Sequence, residues 1–146
     1  MRVLLQRVSE ASVTVHDGVV GTIGRGVLLL VGIGPEDGEE QLSWMAQKCA
    51  ALRIFPDEEG KMNRSVAEVD GEALVVSQFT LYGDVRKGHR PSFVKAAPPQ
   101  AAASAVDRFV ELLAQRLRKV ETGRFGAAMQ VRLVNDGPVT LWLERD

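Results

Sequence analysis

Val27-Leu28-Leu29-Leu30-Val31 decides the fold. Five consecutive apolar residues leave neither face of a strand for water, and the run is far too short to cross a bilayer. It reads as a central strand covered on both sides, in a sheet with helices packed on it. Upstream, residues 2–8 are apolar with polar interruptions, Val13-Thr14-Val15 is β-branched, Asp17-Gly18 is a hairpin signal, and the chain returns over 19–23. Together these predict a β-meander leading into the central strand.

Downstream, Leu42, Met45, Cys49 and Leu52 recur at helical spacing, with Glu39, Glu40, Gln47 and Lys48 left for water. An amphipathic helix over 39–52 follows. A second helix is expected to open at Pro98-Pro99. Its stripe is Val106, Phe109, Val110, Leu113, Leu117 and Val120, with Arg116, Arg118 and Lys119 at its negative end and Gly123 as its stop. Between the helices, 73–77 reads as a short buried strand running into a charged, Gly-rich loop over 83–90. The last stretch reads as two strands, 129–134 and 139–143, joined by a hairpin at Asn135-Asp136-Gly137-Pro138, since Asp-Gly between apolar strands is a strong turn signal. The expected architecture is α/β of the α+β type: one domain over 1–146, with an antiparallel-rich, barrel-like sheet and two main helices packed on it.

Bulk properties narrow the function. The 146 residues carry 18 Lys and Arg against 19 Asp and Glu, for a net charge of -1. No protein-wide positive field exists to attract a long nucleic acid, so any such contact must be local. One cysteine and two histidines form neither an internal disulfide nor a zinc ligand set, which points to a reducing, cytoplasmic setting. Arg7 interrupts the opening before a signal-peptide core is reached, so neither export nor membrane insertion is expected.

A nucleophilic triad needs a base beside Ser, Thr or Cys. His16 sits beside a hairpin turn, His89 lies in a basic loop, and Cys49 falls on an apolar helical stripe where small cysteines pack rather than react. The glycines of Gly24-Arg25-Gly26 and Gly32-Ile33-Gly34-Pro35 match no phosphate-loop pattern, and Asp57, Glu58 and Glu59 share a solvated turn with Pro56 and Gly60. No metal or cofactor site is indicated. Ser77-Gln78-Phe79-Thr80 follows a buried strand, where its amides can face a pocket and steady an oxyanion, or its hydroxyls can simply close a strand end. Arg86-Lys87-Gly88-His89-Arg90 concentrates positive charge suited to nucleic-acid phosphates, or forms an ordinary solvated loop.

Taken together, Ser77-Gln78-Phe79-Thr80-Leu81-Tyr82, Lys87-Gly88-His89-Arg90-Pro91-Ser92-Phe93, Gly123-Arg124-Phe125-Gly126 and Asn135-Asp136-Gly137-Pro138-Val139-Thr140 resemble the bacterial D-aminoacyl-tRNA deacylases. The resemblance extends from Arg2-Val3 with Gln6-Arg7-Val8 to the last strand. It departs at Ala128, where many members carry an acidic residue, leaving the polarity of that wall open. It implies hydrolysis of the ester joining a D-amino acid, or glycine, to the terminal adenosine of tRNA by a homodimer with shared sites. In it Gly137-Pro138 is cis, enters the neighbouring site and excludes L side chains, while Arg7 holds the motif in place. Amides around Gln78 and Phe79 meet the oxyanion, Ser77 and Thr80 shape the site, and Phe125 and Met129 line the substrate's surroundings. The ribose 2′-hydroxyl helps activate water, with Thr80 as covalent nucleophile the second choice. Two other readings stay open: a nucleic-acid-binding dimer without catalysis, and an editing enzyme for an L-aminoacyl-tRNA with a trans Gly-Pro bond.

Overall fold

The computed structural model describes all 146 residues. Strand β1 (Arg2–Val15) runs unbroken through what sequence divides in two, and both of its edges are used. Along one edge lie β2 (Gly18–Ile23) and β3 (Gly26–Gly32), one after the other and both antiparallel to β1. The reversal occurs at His16 and Asp17, with His16 at φ 54° in the turn rather than on the strand. Along the other edge lies β8 (Met129–Glu144), antiparallel over nearly the whole of β1.

The β1–β8 register slips where Val8 faces Asn135 and Glu10 faces Val134, so Ser9 is an extra residue. A β-bulge of this kind moves later side chains to the opposite face. Val3 and Leu5 accordingly join the core under the helices, whereas Ala11 and Val13 join a second core on the other side.

The central run forms β3 as expected, with Val27, Leu29 and Val31 in the helix-side core and Leu28 in the second one. Next to it, in parallel, is β6 (Glu72–Ser77), and parallel to that is β7 (Val120–Thr122). A small hairpin of β4 (Phe55–Pro56) and β5 (Met62–Arg64) lies outside this sheet. The sheet curls until β2 approaches β7: a Cβ on Gly21 would stand 2.6 Å from the Thr122 carbonyl oxygen. The barrel is thus nearly closed. Helices α1 (Glu39–Ala51) and α2 (Pro99–Ala114) cover its outer face, burying Met45, Cys49, Phe109 and Leu113.

Two expectations are corrected. Helix α2 stops at Ala114. Leu117 is still buried in the following turn, and Val120 belongs to β7, where its main chain pairs with Ala73. The apolar spacing from 106 to 120 reports a shared core, not a continuous helix. The hairpin at 135–138 does not exist either: both halves of β8 run antiparallel to β1 in one direction. Between Gln6↔Thr140 and Val8↔Asn135, residues 136–139 loop out opposite the single residue Arg7.

Strands β3 and β6 meet so closely at Gly26 that a Cβ there would fall 1.8 Å from the main-chain oxygen of Glu72. Backbone cannot yield as a side-chain tip does. Gly26→Ala is expected to destabilise the protein by about 3 kcal/mol, the upper end of overpacking costs. Gly24→Ala, where the nearest atom is the Glu72 carboxylate at 3.5 Å, should stay within about 0.5 kcal/mol. Urea denaturation of the two variants checks the contrast.

Candidate functional site

Strand β6 delivers Ser77 to the edge of the barrel, paired with Val31, and the chain then tightens into a 3₁₀ turn, Phe79–Tyr82. The Gln78 amide donates to the Val31 carbonyl at 2.7 Å, which extends the ladder by one bond. The Gln78 N–H is therefore committed to the sheet. Phe79 and Thr80 open the turn, and the first amides of such a turn have no acceptor within it. Leu81 and Gly83 donate back to the carbonyls of Gln78 and Thr80, at 3.2 and 2.9 Å, and the Gln78 side-chain amide donates to the Thr80 hydroxyl. Gly32 makes room for the turn, since a Cβ there would touch Gln78, Leu81 and Tyr82 at 3.2 Å each. The Tyr82 ring is wedged beside Gly34 under the Arg2 guanidinium, and burial pushes its hydroxyl above the ordinary tyrosine range.

In front of this turn is a cavity of about 670 Å³. Ser77, Gln78 and Phe79 form one wall, and Phe125, Gly126, Ala127 and Met129 form another, so segments far apart in sequence converge on one cavity. A third wall was not anticipated: Phe93 and Val94 from the long loop, and Pro98, Pro99 and Ala102 at the start of α2. The sequence marks that segment only as a helix opening, because small apolar residues there read equally well as capping or packing. Phe79, 54% exposed, meets Phe93 edge to face with ring centres 5.2 Å apart. Thr80 is exposed beside the cavity and is not part of its lining.

The basic residues lie on the loop that leads into Phe93. Asp84 and Ser92 exchange backbone hydrogen bonds of 2.7 and 3.0 Å across its neck. The Asp84 carboxylate takes both the backbone and the guanidinium of Arg86, the latter at 2.6 Å, and these bonds hold its carboxyl well below the usual carboxylate range. Arg86 is thus tied down, whereas Lys87, His89 and Arg90 project into solvent around Gly88, whose φ is 62°.

Gly137-Pro138 lies elsewhere. The residues that loop out of β8 are exposed apart from Val139, the Gly137–Pro138 peptide bond is cis, and neither residue lines the cavity of its own chain. Buried Arg7 anchors the excursion: its Nε reaches the Asp136 carboxylate at 3.1 Å and donates to the Asp136 carbonyl at 3.2 Å, while Nη1 donates to the Ile54 carbonyl at 2.5 Å. Asn135 closes the loop's base by donating to the carbonyls of Arg7 and Val139 at 2.9 and 3.1 Å.

Neither histidine lines the cavity, and no three His, Cys, Asp or Glu side chains are grouped to hold a metal ion. Cys49 is 1% exposed, and burial raises its thiol to about 12. The fold and cavity together define the class: a nearly closed barrel with two helices packed on it and a mainly apolar pocket where the chain leaves β6, with neither histidine in its lining.

Comparison with known proteins specifies that class. The family model for D-Tyr-tRNA(Tyr) deacylase matches residues 4–144. A D-aminoacyl-tRNA deacylase of Thermomicrobium roseum is 64% identical over 99% of this chain and 94% of its own length; that of Thermotoga petrophila is 58% identical over 99% and 97%. Among solved structures, one described as a c-Myc DNA unwinding element binding protein superposes with a TM-score of 0.95 at 44% identity, covering 100% of this chain and 99% of that one. A probable eukaryotic D-amino acid tRNA deacylase shares the fold, with a TM-score of 0.84 at 22% identity over 97% of each chain. The chain belongs to the D-aminoacyl-tRNA deacylase family, a family of hydrolases.

A thiol that loses its proton only near 12 offers almost no thiolate at neutral pH. Native protein should remain unmodified by iodoacetamide at pH 8, with one equivalent taken up in denaturant. Rapid native labelling, read by mass spectrometry, would contradict the burial argument.

Proposed function

We propose that this chain hydrolyses the ester between a D-amino acid, or glycine, and the terminal adenosine of tRNA in the cytoplasm, as a homodimer in which each protomer completes the other's site. One observation carries the reading. The Gly137-Pro138 excursion is anchored by a buried arginine yet does not line the cavity of its own chain beside Ser77–Phe79, and that cavity is not enclosed. A rigid protrusion and an unfinished cavity fit together if two copies exchange them. The strand that bears the excursion also exposes Val134, Leu141 and Trp142, the last at 49%, as a dimer interface would require.

In this reading the terminal adenosine with its esterified amino acid occupies the cavity, whose apolar walls and aromatic rings suit a purine and a side chain. The ester carbonyl oxygen faces the amides of Phe79 and Thr80. Water attacks the carbonyl carbon, the oxyanion is met by those amides, and the bond to the ribose oxygen breaks as that oxygen takes a proton. The ribose 2′-hydroxyl assists in activating the water, since the protein places no base there. Thr80, whose hydroxyl accepts from Gln78, positions the turn rather than attacking. Main chain of the partner's Gly-Pro excursion stands against the α-carbon and leaves no room for an L substituent, so chirality is read by exclusion. Lys87, His89 and Arg90, with Arg86 organising the loop, contact the phosphates of the acceptor end.

A second reading, a nucleic-acid-binding dimer without catalysis, draws on the description of the structural relative at 44% identity. One assay separates the two. Purified protein should release D-tyrosine from D-tyrosyl-tRNA without added metal and spare the L-ester by at least about a hundredfold, a loss of complementarity worth roughly 3 kcal/mol. No release defeats catalysis; equal release of both defeats the chiral reading.

Thr80→Ala should lower turnover without abolishing it, while a substrate ending in 2′-deoxyadenosine should be nearly inert. Fast hydrolysis of the deoxy substrate, followed by single-turnover kinetics, would eliminate substrate assistance.

A further inference from the structure

Gly123 follows β7 and lies behind the cavity wall, outside its lining. Its amide donates to the Val75 carbonyl at 3.0 Å, which fixes the main chain against β6. A Cβ at this position would stand 2.7 Å from the Met129 sulfur, with Val13 and Val76 next at 3.6 and 3.8 Å. Its φ lies outside the left-handed region, so alanine fits the backbone and keeps the hydrogen bond. The whole conflict is with Met129.

Val13 and Val76 are buried at 0 and 1% exposure and have nowhere to go. Met129 is unbranched, half-buried, and borders the cavity on its other side. Pressed by the added methyl group, its thioether can give way toward the cavity that it lines together with Ser77 and Phe79. We infer that Gly123 is a positioning residue that sets the depth of the cavity: the absent side chain is the recess into which Met129 retracts, and substrate occupies the room so released. This inference rests on the placement of the aminoacyl-adenosine in that cavity.

The expected result of Gly123→Ala is a KM for D-tyrosyl-tRNA raised on the order of tenfold, as for an extra methylene in a binding pocket, with kcat changed less. The double variant Gly123→Ala/Met129→Ala should match Met129→Ala alone, because the cycle closes once the displaced group is gone. Methyl NMR of ¹³C-methionine-labelled protein reads the cause directly: of the 4 methionine signals, that of Met129 should shift while those of Met1, Met45 and Met62 hold. An unmoved Met129 signal, or an equal KM rise in the Met129→Ala background, overturns the inference. A shifted signal with unchanged KM and kcat overturns it differently, by showing that the substrate does not occupy this cavity at all.

Discussion

The parallel pairing of β3 with β6 is the constraint on which everything else depends. It forces both strands to be apolar on two faces, which calls for helices on one side and the curled remainder of the sheet on the other. It brings two backbones together at Gly26 with no space for a methyl group. At its far end, the Val31–Ser77 pair and the bond from Gln78 to Val31 fix where the chain leaves the sheet. The first amides of the turn, which have no acceptor within it, are thereby held at the end of a hydrogen-bonded ladder.

Such a support suits the proposed reading, in which the site works with little conventional equipment. Neither histidine lines the cavity, the cysteine is sealed in the core, and the residues nearest the turn contribute shape and main-chain polarity. On the proposed reading the substrate is an aminoacyl ester already activated toward water, which leaves the protein orientation and charge stabilisation more than proton transfer, with the rigidity of the walls serving selectivity as well as rate. The same economy appears at Arg7, a buried cation that spends its donors on the carbonyls of Ile54 and Asp136 and so fixes backbone rather than substrate.

Where local pattern and tertiary environment agree, the fold is legible in the sequence. The run from Val27 to Val31, the stripe of α1 and the strand before Ser77 each have one periodicity and one partner face, and each appears with nearly the expected bounds. Legibility fails where two elements share a core. Val120 continues the α2 stripe in spacing but satisfies its main chain in β7, and no pattern distinguishes the two. It fails again at Asp136-Gly137, where turn chemistry is correct but its meaning depends on β1: with β1 alongside, the chain bulges and resumes instead of reversing. For the cavity, the walls from 77–79 and 125–129 were accessible through motif resemblance, whereas Pro98, Pro99 and Ala102 carry no chemistry of their own to betray them.

The neck between Asp84 and Ser92 has an evolutionary consequence. Both ends of the loop are fastened to each other before the chain proceeds to Phe93 and the cavity, so the seven residues from 85 to 91 hang from a closed clasp. Lengthening, shortening or recharging that tip leaves the clasp, and therefore the cavity wall beyond it, in place. The tip can thus drift in length and charge while the cavity wall stays fixed, giving descendants of this fold two independently adjustable parts.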